Sequence, residues 1–217
     1  LDPDQAPDLI ETMHADANGV IARLALHLRR LSESAKTLGY KAVTPDAIRH
    51  ALQNVLITER GAAQRLRLLY SPLGEVSITC SALPALQGQQ KIALSSVILP
   101  SESLWLQHKT THRPWYLAAM TWIDAHPGVF DLIYSNQNGE LCEGSRSNLY
   151  LKIDGQWCTP PLSSGLLAGV ERHALLETGQ VIERRLTRAE LSVAQGMRLS
   201  NALRGWFDVE FDASLKD

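Results

Sequence analysis

No stretch of the chain approaches the roughly 20 apolar residues of a membrane-spanning helix, and the opening Leu1-Asp2-Pro3-Asp4 has neither the basic start nor the apolar core of a secretory signal. Cysteine is scarce. Cys80, Cys142 and Cys158 are an odd number in a chain of 217 residues, too large to need staples, and their spacing makes no zinc motif. A reduced, cytoplasmic compartment and no metal are therefore expected. Charge of one sign is lacking too: 21 Lys and Arg against 23 Asp and Glu leave a net charge of -2, with no like-charged run long enough to make a tail. That removes the electrostatic footprint of a nucleic-acid binder and leaves small molecules or other protein chains as partners. There is no internal repeat and no low-complexity segment. The first residue, Leu1, is not the methionine of a natural start, which points to a processed or trimmed product or to one domain of a longer polypeptide.

What is present is ordinary globular composition, 45% hydrophobic and 20% charged, enough for one large domain or two small ones. Leu24, Leu28, Leu31, Ala35 and Leu38 recur every three or four residues and Gly39 follows, so an amphipathic helix packed on a sheet is expected. Thr44-Pro45 reads as the cap and first turn of a second helix with Ile48, Ala51, Leu52 and Val55 inward. Gln64–Tyr70, the turn Ser71-Pro72-Leu73-Gly74, and Glu75–Cys80 read as a hairpin, and Lys91–Leu99 as a further apolar segment ending at Pro100. A helix is expected from near Pro114, strands at Val129–Tyr134 and Asn148–Ile153, a tight turn at Asp154-Gly155, and a helix from near Gly169. Thr187 and Glu190 have capping-box spacing for another helix, and Met197–Ser200 and Trp206–Phe211 read as strand. The pattern predicts an α+β fold rather than a doubly wound parallel sheet, with a first domain over 1–99, a linker over 100–107 and a second domain over 108–217.

Four places look unlike scaffold. His108-Lys109-Thr110-Thr111-His112-Arg113 is a polar cluster after the linker, where a side chain can project into a cleft between domains; a solvated loop is the plainer reading. Glu143-Gly144-Ser145-Arg146-Ser147-Asn148 is a small polar stretch entering an apolar strand. The run from Thr159-Pro160-Pro161 to Gly169-Val170 leads small residues into a helix start, which suits phosphate but is also ordinary punctuation. Arg29 and Arg30 flank the stripe of the first helix, where arginines commonly reach out to solvent. Together they supply an amine, a carboxylate, an arginine and a helix start, the set that pyridoxal phosphate needs.

In order along the chain, Ile10-Glu11-Thr12, His27-x-x-Arg30-Leu31-x-x-Ser34-Ala35, Lys109, Glu143 to Asn148, the proline-to-glycine segment and Asn201-Ala202-Leu203-Arg204-Gly205-Trp206 resemble the class IV (fold type IV) pyridoxal phosphate enzymes. That family includes branched-chain and D-amino acid aminotransferases and aminodeoxychorismate lyases. The resemblance implies two α/β subdomains with the cofactor between them. Lys109-Thr110-Thr111, Ser163-Ser164-Gly165-Leu166-Leu167 and Asn201-Ala202-Leu203-Arg204-Gly205-Trp206 are most similar to the lyase branch, in particular to the lyase domain fused behind aminodeoxychorismate synthase. The extra strand and Gly-Asp-Gly stretch with which the family usually begins are missing or much shortened before Glu11-Thr12, which fits a domain cut from a fusion and a synthase domain fused or lost.

By that resemblance Lys109 is the catalytic residue, carrying the cofactor as a Schiff base and then acting as general base. Glu143 keeps the pyridine nitrogen protonated. Arg30 binds the phosphate with a fork of donors, and the backbone at Val170 and Glu171, with Ser200 or Asn201, completes the cradle. Asn148 belongs to the same cofactor-binding set. Glu171 stands where relatives often have a hydroxyl, so only its N–H is counted and its carboxylate is expected to point away. Thr12, Thr111 and Arg204 are candidate substrate residues, with Arg65, Arg67, His112 and Arg113 as further candidates for a substrate carboxylate. The implied activity is a lyase giving 4-aminobenzoate and pyruvate for folate synthesis, in a homodimer. The alternatives are an aminotransferase of small amino acids and a cofactor-free interaction or dimerisation domain.

Overall fold

A computed structural model of the chain describes residues 5–56 and 61–217, so the opening Leu1-Asp2-Pro3-Asp4 lies outside the described residues. The chain divides into two compact units: one runs up to Ala85 and takes in His108–His112, and the other joins Leu86–Gln107 to Arg113–Asp217.

The first unit is a three-stranded antiparallel sheet, β1 (Leu9–Ala15), β2 (Gln64–Tyr70) and β3 (Val76–Ala82), with helices α1 (Leu24–Leu38) and α2 (Pro45–Leu56). Both expected helices form where the stripes place them. In α1, Leu28, Leu31, Ala35 and Leu38 are buried, and Gly39 ends the helix at φ 72°, a left-handed conformation that costs a glycine little. His27 and Ser34 share that buried face, which the apolar stripe does not reveal. In the sheet, Leu9, Met13, Leu66, Leu68 and Tyr70 are buried, and α1 packs on β1.

The second unit is built on a nine-stranded mixed sheet in the order β11-β10-β7-β6-β5-β4-β12. Its strands are β4 (Lys91–Leu99), β5 (Val129–Asn136), β6 (Leu141–Gly144), β7 (Asn148–Ile153), β8 (Gln156–Thr159), β9 (Ile182–Glu183), β10 (Gly196–Asn201), β11 (Gly205–Asp208) and β12 (Glu210–Lys216), with β8 and β9 branching from β7. Three short helices accompany them: α3 (Leu104–Gln107), α4 (Ala119–Asp124) and α5 (Val170–Glu177). Every residue of β5 is buried, because apolar layers cover both faces: Ile133, Leu149, Leu151 and Leu199 on one side, and Leu132, Tyr134, Leu106 and Ile123 on the other. Among the described residues no helix is long and apolar enough to cross a membrane.

The α+β class holds, but the expected boundaries fall elsewhere. β4 pairs in parallel with β5 and β12, so the second unit begins before residue 99. The expected linker carries α3, whose Leu106 is buried in the core. His108–His112 hydrogen-bonds to β1, which puts Lys109 in the first unit and not the second. Near Pro114 the chain forms a 3₁₀ turn, Pro114–Tyr116, before α4 starts; this drives Tyr116 into the interior. The Thr187–Glu190 capping box is present, yet it caps a 3₁₀ turn, Arg188–Ser192. Trp206–Phe211 is two strands, because the chain leaves β10 at Val209 and joins the far edge of the sheet at β4.

Candidate active site

The segment that carries Lys109 is tied by backbone hydrogen bonds to the edge of β1 opposite β2. Ile10 N–H donates to the Lys109 carbonyl (2.7 Å), Thr111 N–H donates to the Asp8 carbonyl (2.9 Å), and Leu9 pairs with Thr110 between them. Side chains along such a segment alternate between faces. His108 and Thr110 therefore share the α1 side of the sheet, where His108 Nδ1 meets Ser34 Oγ at 2.9 Å. Lys109 and Thr111 fall on the opposite side, with Ile10, Thr12 and His14. The register carries that side across β2, since Thr12 lies opposite Arg67 and His14 opposite Arg65. One polar face of the first unit thus presents Lys109, Thr12, Arg67 and Arg65. The Thr111 hydroxyl accepts a hydrogen bond from Asp8 N–H (3.1 Å), so part of its capacity secures the segment.

Arg30 lies on the α1 side and is clasped by Glu11 of β1. Its Nε donates to Glu11 Oε1 at 2.9 Å and a terminal nitrogen donates to Oε2 at 2.6 Å; His27 Nδ1 meets the same Oε2 at 2.6 Å. Burial raises the Glu11 carboxyl, but the Arg30 charge and the hydrogen bonds from His27 and Arg30 outweigh it and bring the pKa from 4.5 down to about 2. A carboxylate depressed on folding stabilises the native state above its unfolded value and loses that contribution as the pH falls through its folded value. Acid unfolding of the full chain should therefore draw on Glu11 between about 4.5 and about 2, and Glu11→Gln should flatten that part of a stability-against-pH curve measured by urea denaturation. An unchanged acid limb would show that the clasp adds no stability. Glu11 and His27 stand in the motifs that carry the resemblance, but the sequence assigned neither of them a role. The signal available was a lone carboxylate among apolar neighbours on a strand.

In the second unit, Glu143 of β6 is buried, its Oε1 accepting from the Tyr116 hydroxyl (2.8 Å) and its Oε2 from Leu167 N–H (3.0 Å). Burial, and then the Glu143 charge, push the Tyr116 phenol well above its usual pKa, so it stays a donor. Asn148 pairs with Glu143 across the β6–β7 ladder and donates through Nδ2 to the Leu167 carbonyl (3.0 Å). The turn between them is fixed from below by Asp131, which accepts from Ser145 N–H (2.9 Å), Ser145 Oγ (2.6 Å), Arg146 N–H (3.1 Å) and Ser147 Oγ (2.6 Å). Tyr116 and Asp131 are further supports that the motif reading did not single out.

Gly169 begins α5 in an extended conformation with no side-chain cap, and a β-carbon there would collide with Asn148 Oδ1. Helix geometry gives the N–H groups of Val170 and Glu171 no intrahelical acceptor, so they point outward as donors. Glu171 itself is buried. α5 packs on β10, where Ser200 Oγ is fully buried at 2.7 Å from the Tyr150 hydroxyl. Asn201 is used locally: Oδ1 accepts from Arg204 N–H (3.0 Å) and Nδ2 donates to the Arg146 carbonyl (3.2 Å). Burial, with the nearby Arg146 charge, lowers the pKa of Arg204. Arg113 is partly committed as well, donating to the Ser145 carbonyl and lying 4.7 Å over the Tyr116 ring.

The profile described as amino-transferase class IV matches residues 8–210. The chain belongs to that family. A Schizosaccharomyces pombe protein carrying the name aminodeoxychorismate lyase is 30% identical over 183 residues, 81% of this class IV chain and 76% of the yeast protein. The crystal structure named as an amino-acid aminotransferase from Mesorhizobium loti superposes with a TM-score of 0.88 at 30% identity, covering 95% of this chain and 100% of that one. A Thermotoga maritima structure named for branched-chain amino acid aminotransferase gives a TM-score of 0.84 at 26% identity, over 94% of this chain and 76% of the other. The expected class IV family and fold are therefore right, and the cofactor of a class IV enzyme is pyridoxal phosphate.

The residues present fit that group. A phosphate needs outward N–H donors, and α5 offers them behind an uncapped glycine with a buried hydroxyl on the strand beside it. A pyridine nitrogen needs a fixed carboxylate, and Glu143 is buried with two donors orienting it. Among the described residues no group of three or more His, Cys, Asp or Glu side chains could hold a metal ion.

Proposed function

We propose that the chain is a 4-amino-4-deoxychorismate lyase, releasing 4-aminobenzoate and pyruvate, with its product going to folate synthesis. The observation that carries this reading is the face of the first unit on which Lys109 lies, where Arg65 and Arg67 alternate with buried leucines and so present two guanidinium groups together. Two cations on one face suit a substrate with two carboxylates, and they are poor company for a branched aliphatic side chain. The yeast relative's name supports the same activity.

Bound pyridoxal phosphate supplies an electron sink for the pair left when a proton departs the amine-bearing ring carbon. In this reading Lys109 Nζ would hold the cofactor and would be the base that takes that proton. The same amine returns a proton to the departing enolpyruvyl group, and aromatisation of the ring supplies the driving force. Glu143 holds a proton on the ring nitrogen. Arg30 would take the phosphate, as would the N–H groups of Val170 and Glu171 with Ser200 or Asn201, while Asn148 keeps the Glu143 strand in register. Thr12, Thr111 and Arg204 are the remaining candidates for substrate contact.

The second reading, a class IV aminotransferase, is favoured by the names of the Mesorhizobium and Thermotoga structures. Incubation with enzymatically made aminodeoxychorismate separates the two: the lyase releases pyruvate in proportion to 4-aminobenzoate. No pyruvate, together with pyridoxamine phosphate formed from an amino acid, would overturn the proposal. Within it, Arg67→Leu should lower kcat/KM about 10- to 100-fold, the worth of about 1.5–3 kcal/mol for a hydrogen bond to a charged group, mostly through KM. Unchanged steady-state kinetics would remove Arg67 from the substrate site.

A further inference from the structure

Two polar groups, Glu11 and His27, fill places in the first unit where the pattern asks for apolar ones, and Arg30 meets them at the edge of that layer. Along β1 the residues sharing Glu11's side are Leu9, Met13 and Ala15, all buried, and along α1 the buried neighbours of His27 are Leu28 and Leu31. Glu11 and His27 are themselves 2% and 1% exposed. A buried ion pair is a weak way to join a strand to a helix, because desolvation offsets most of its attraction and aliphatic side chains would pack there at less cost. Its strength is directional. Arg30 uses Nε and one terminal nitrogen on the two oxygens of a single carboxylate, which fixes the plane of the guanidinium, and His27 Nδ1 on Oε2 keeps that carboxylate from turning.

We infer that Glu11 and His27 are positioning residues for the cofactor phosphate, acting through Arg30. They hold the guanidinium in one orientation before the phosphate arrives, so that little side-chain freedom is lost on binding. The inference rests on the phosphate role proposed for Arg30. It assigns Glu11 and His27 no contact with the reacting atoms.

The test compares two ligands that differ only in the phosphate. Full-length protein stripped of cofactor is titrated with pyridoxal phosphate and with pyridoxal, following absorption and tryptophan fluorescence, for the wild type, Glu11→Gln, His27→Leu, Arg30→Leu and the Glu11→Gln/Arg30→Leu double variant. Glu11→Gln is expected to weaken pyridoxal phosphate about 10-fold or more and to leave pyridoxal unchanged. In the Arg30→Leu background it should cost nothing further. His27→Leu keeps the Glu11–Arg30 pair and should give a smaller loss with the same selectivity; it decides the matter if Glu11→Gln does not fold. Equal losses for both ligands, no loss for pyridoxal phosphate, or an undiminished penalty in the Arg30→Leu background would each overturn the inference. Should Arg30→Leu itself leave the preference for pyridoxal phosphate intact, the Arg30 assignment falls and the inference with it. If Arg30→Leu abolishes that preference while the Glu11 and His27 variants retain it, only the inference falls.

Discussion

Lys109→Ala should yield a folded protein with no visible absorption from lysine-bound cofactor and no measurable pyruvate release. Nothing in the Lys109 backbone depends on its side chain: the carbonyl accepts from Ile10 N–H, and the flanking bonds belong to Thr110 and Thr111. The melting transition should therefore stay close to the wild type, since a substitution on a polar face away from caps and cores changes stability by about 0.5 kcal/mol or less. Activity should fall by at least the factor of about 10²–10⁴ that a positioned acid–base group supplies, because in the proposed mechanism the same amine both attaches the cofactor and moves the proton. Absorption and pyruvate should disappear together. A Lys109→Ala protein with full activity would remove the lysine from the mechanism, and one that failed to melt cooperatively would show a structural role that the backbone bonds do not suggest.

The prominence of Lys109 was legible in the sequence only through its companions, and the reason is distance along the chain. The bonds that make 108–112 part of the first unit join residues about a hundred positions apart, such as Asp8 and Thr111, and no local pattern announces them. Periodic elements fared better. The α1 stripe and the Gln64–Tyr70 strand follow from short-range alternation, which tertiary contacts here reinforce. β1 went unread because Glu11 interrupts its apolar run, and that interruption is the clasp on Arg30. The 206–211 run looked like one strand because the step at Val209 changes partners without changing composition. On the catalytic side, the small polar stretch at Glu143 was visible, whereas its orientation by Tyr116 depends on a contact 27 residues away.

That orientation makes Glu143→Gln the most informative change in the second unit. Leu167 N–H is a fixed donor and must keep facing an oxygen, so a glutamine there should turn its carbonyl to Leu167 and its amide nitrogen to Tyr116. The Tyr116 hydroxyl can rotate and accept that bond, and both protein partners stay satisfied. Glu143→Ala would instead strand the buried Tyr116 hydroxyl and the half-buried Leu167 N–H, at up to about 1–3 kcal/mol each, and would confuse stability with chemistry. With glutamine the fold and the covalent hold through Lys109 should survive, so the cofactor's absorption should persist. What disappears is the negative charge that the proposed mechanism sets against the ring nitrogen. Leaving a buried charge without its partner costs about 3–5 kcal/mol, and a loss of that size in the transition state lowers the rate about 10²- to 10³-fold or more. Pyruvate release should drop by that factor while the melting temperature and the bound absorption stay near the wild type. Retention of full activity in Glu143→Gln would mean that the electron sink works without this carboxylate, and the role given to it would have to be abandoned.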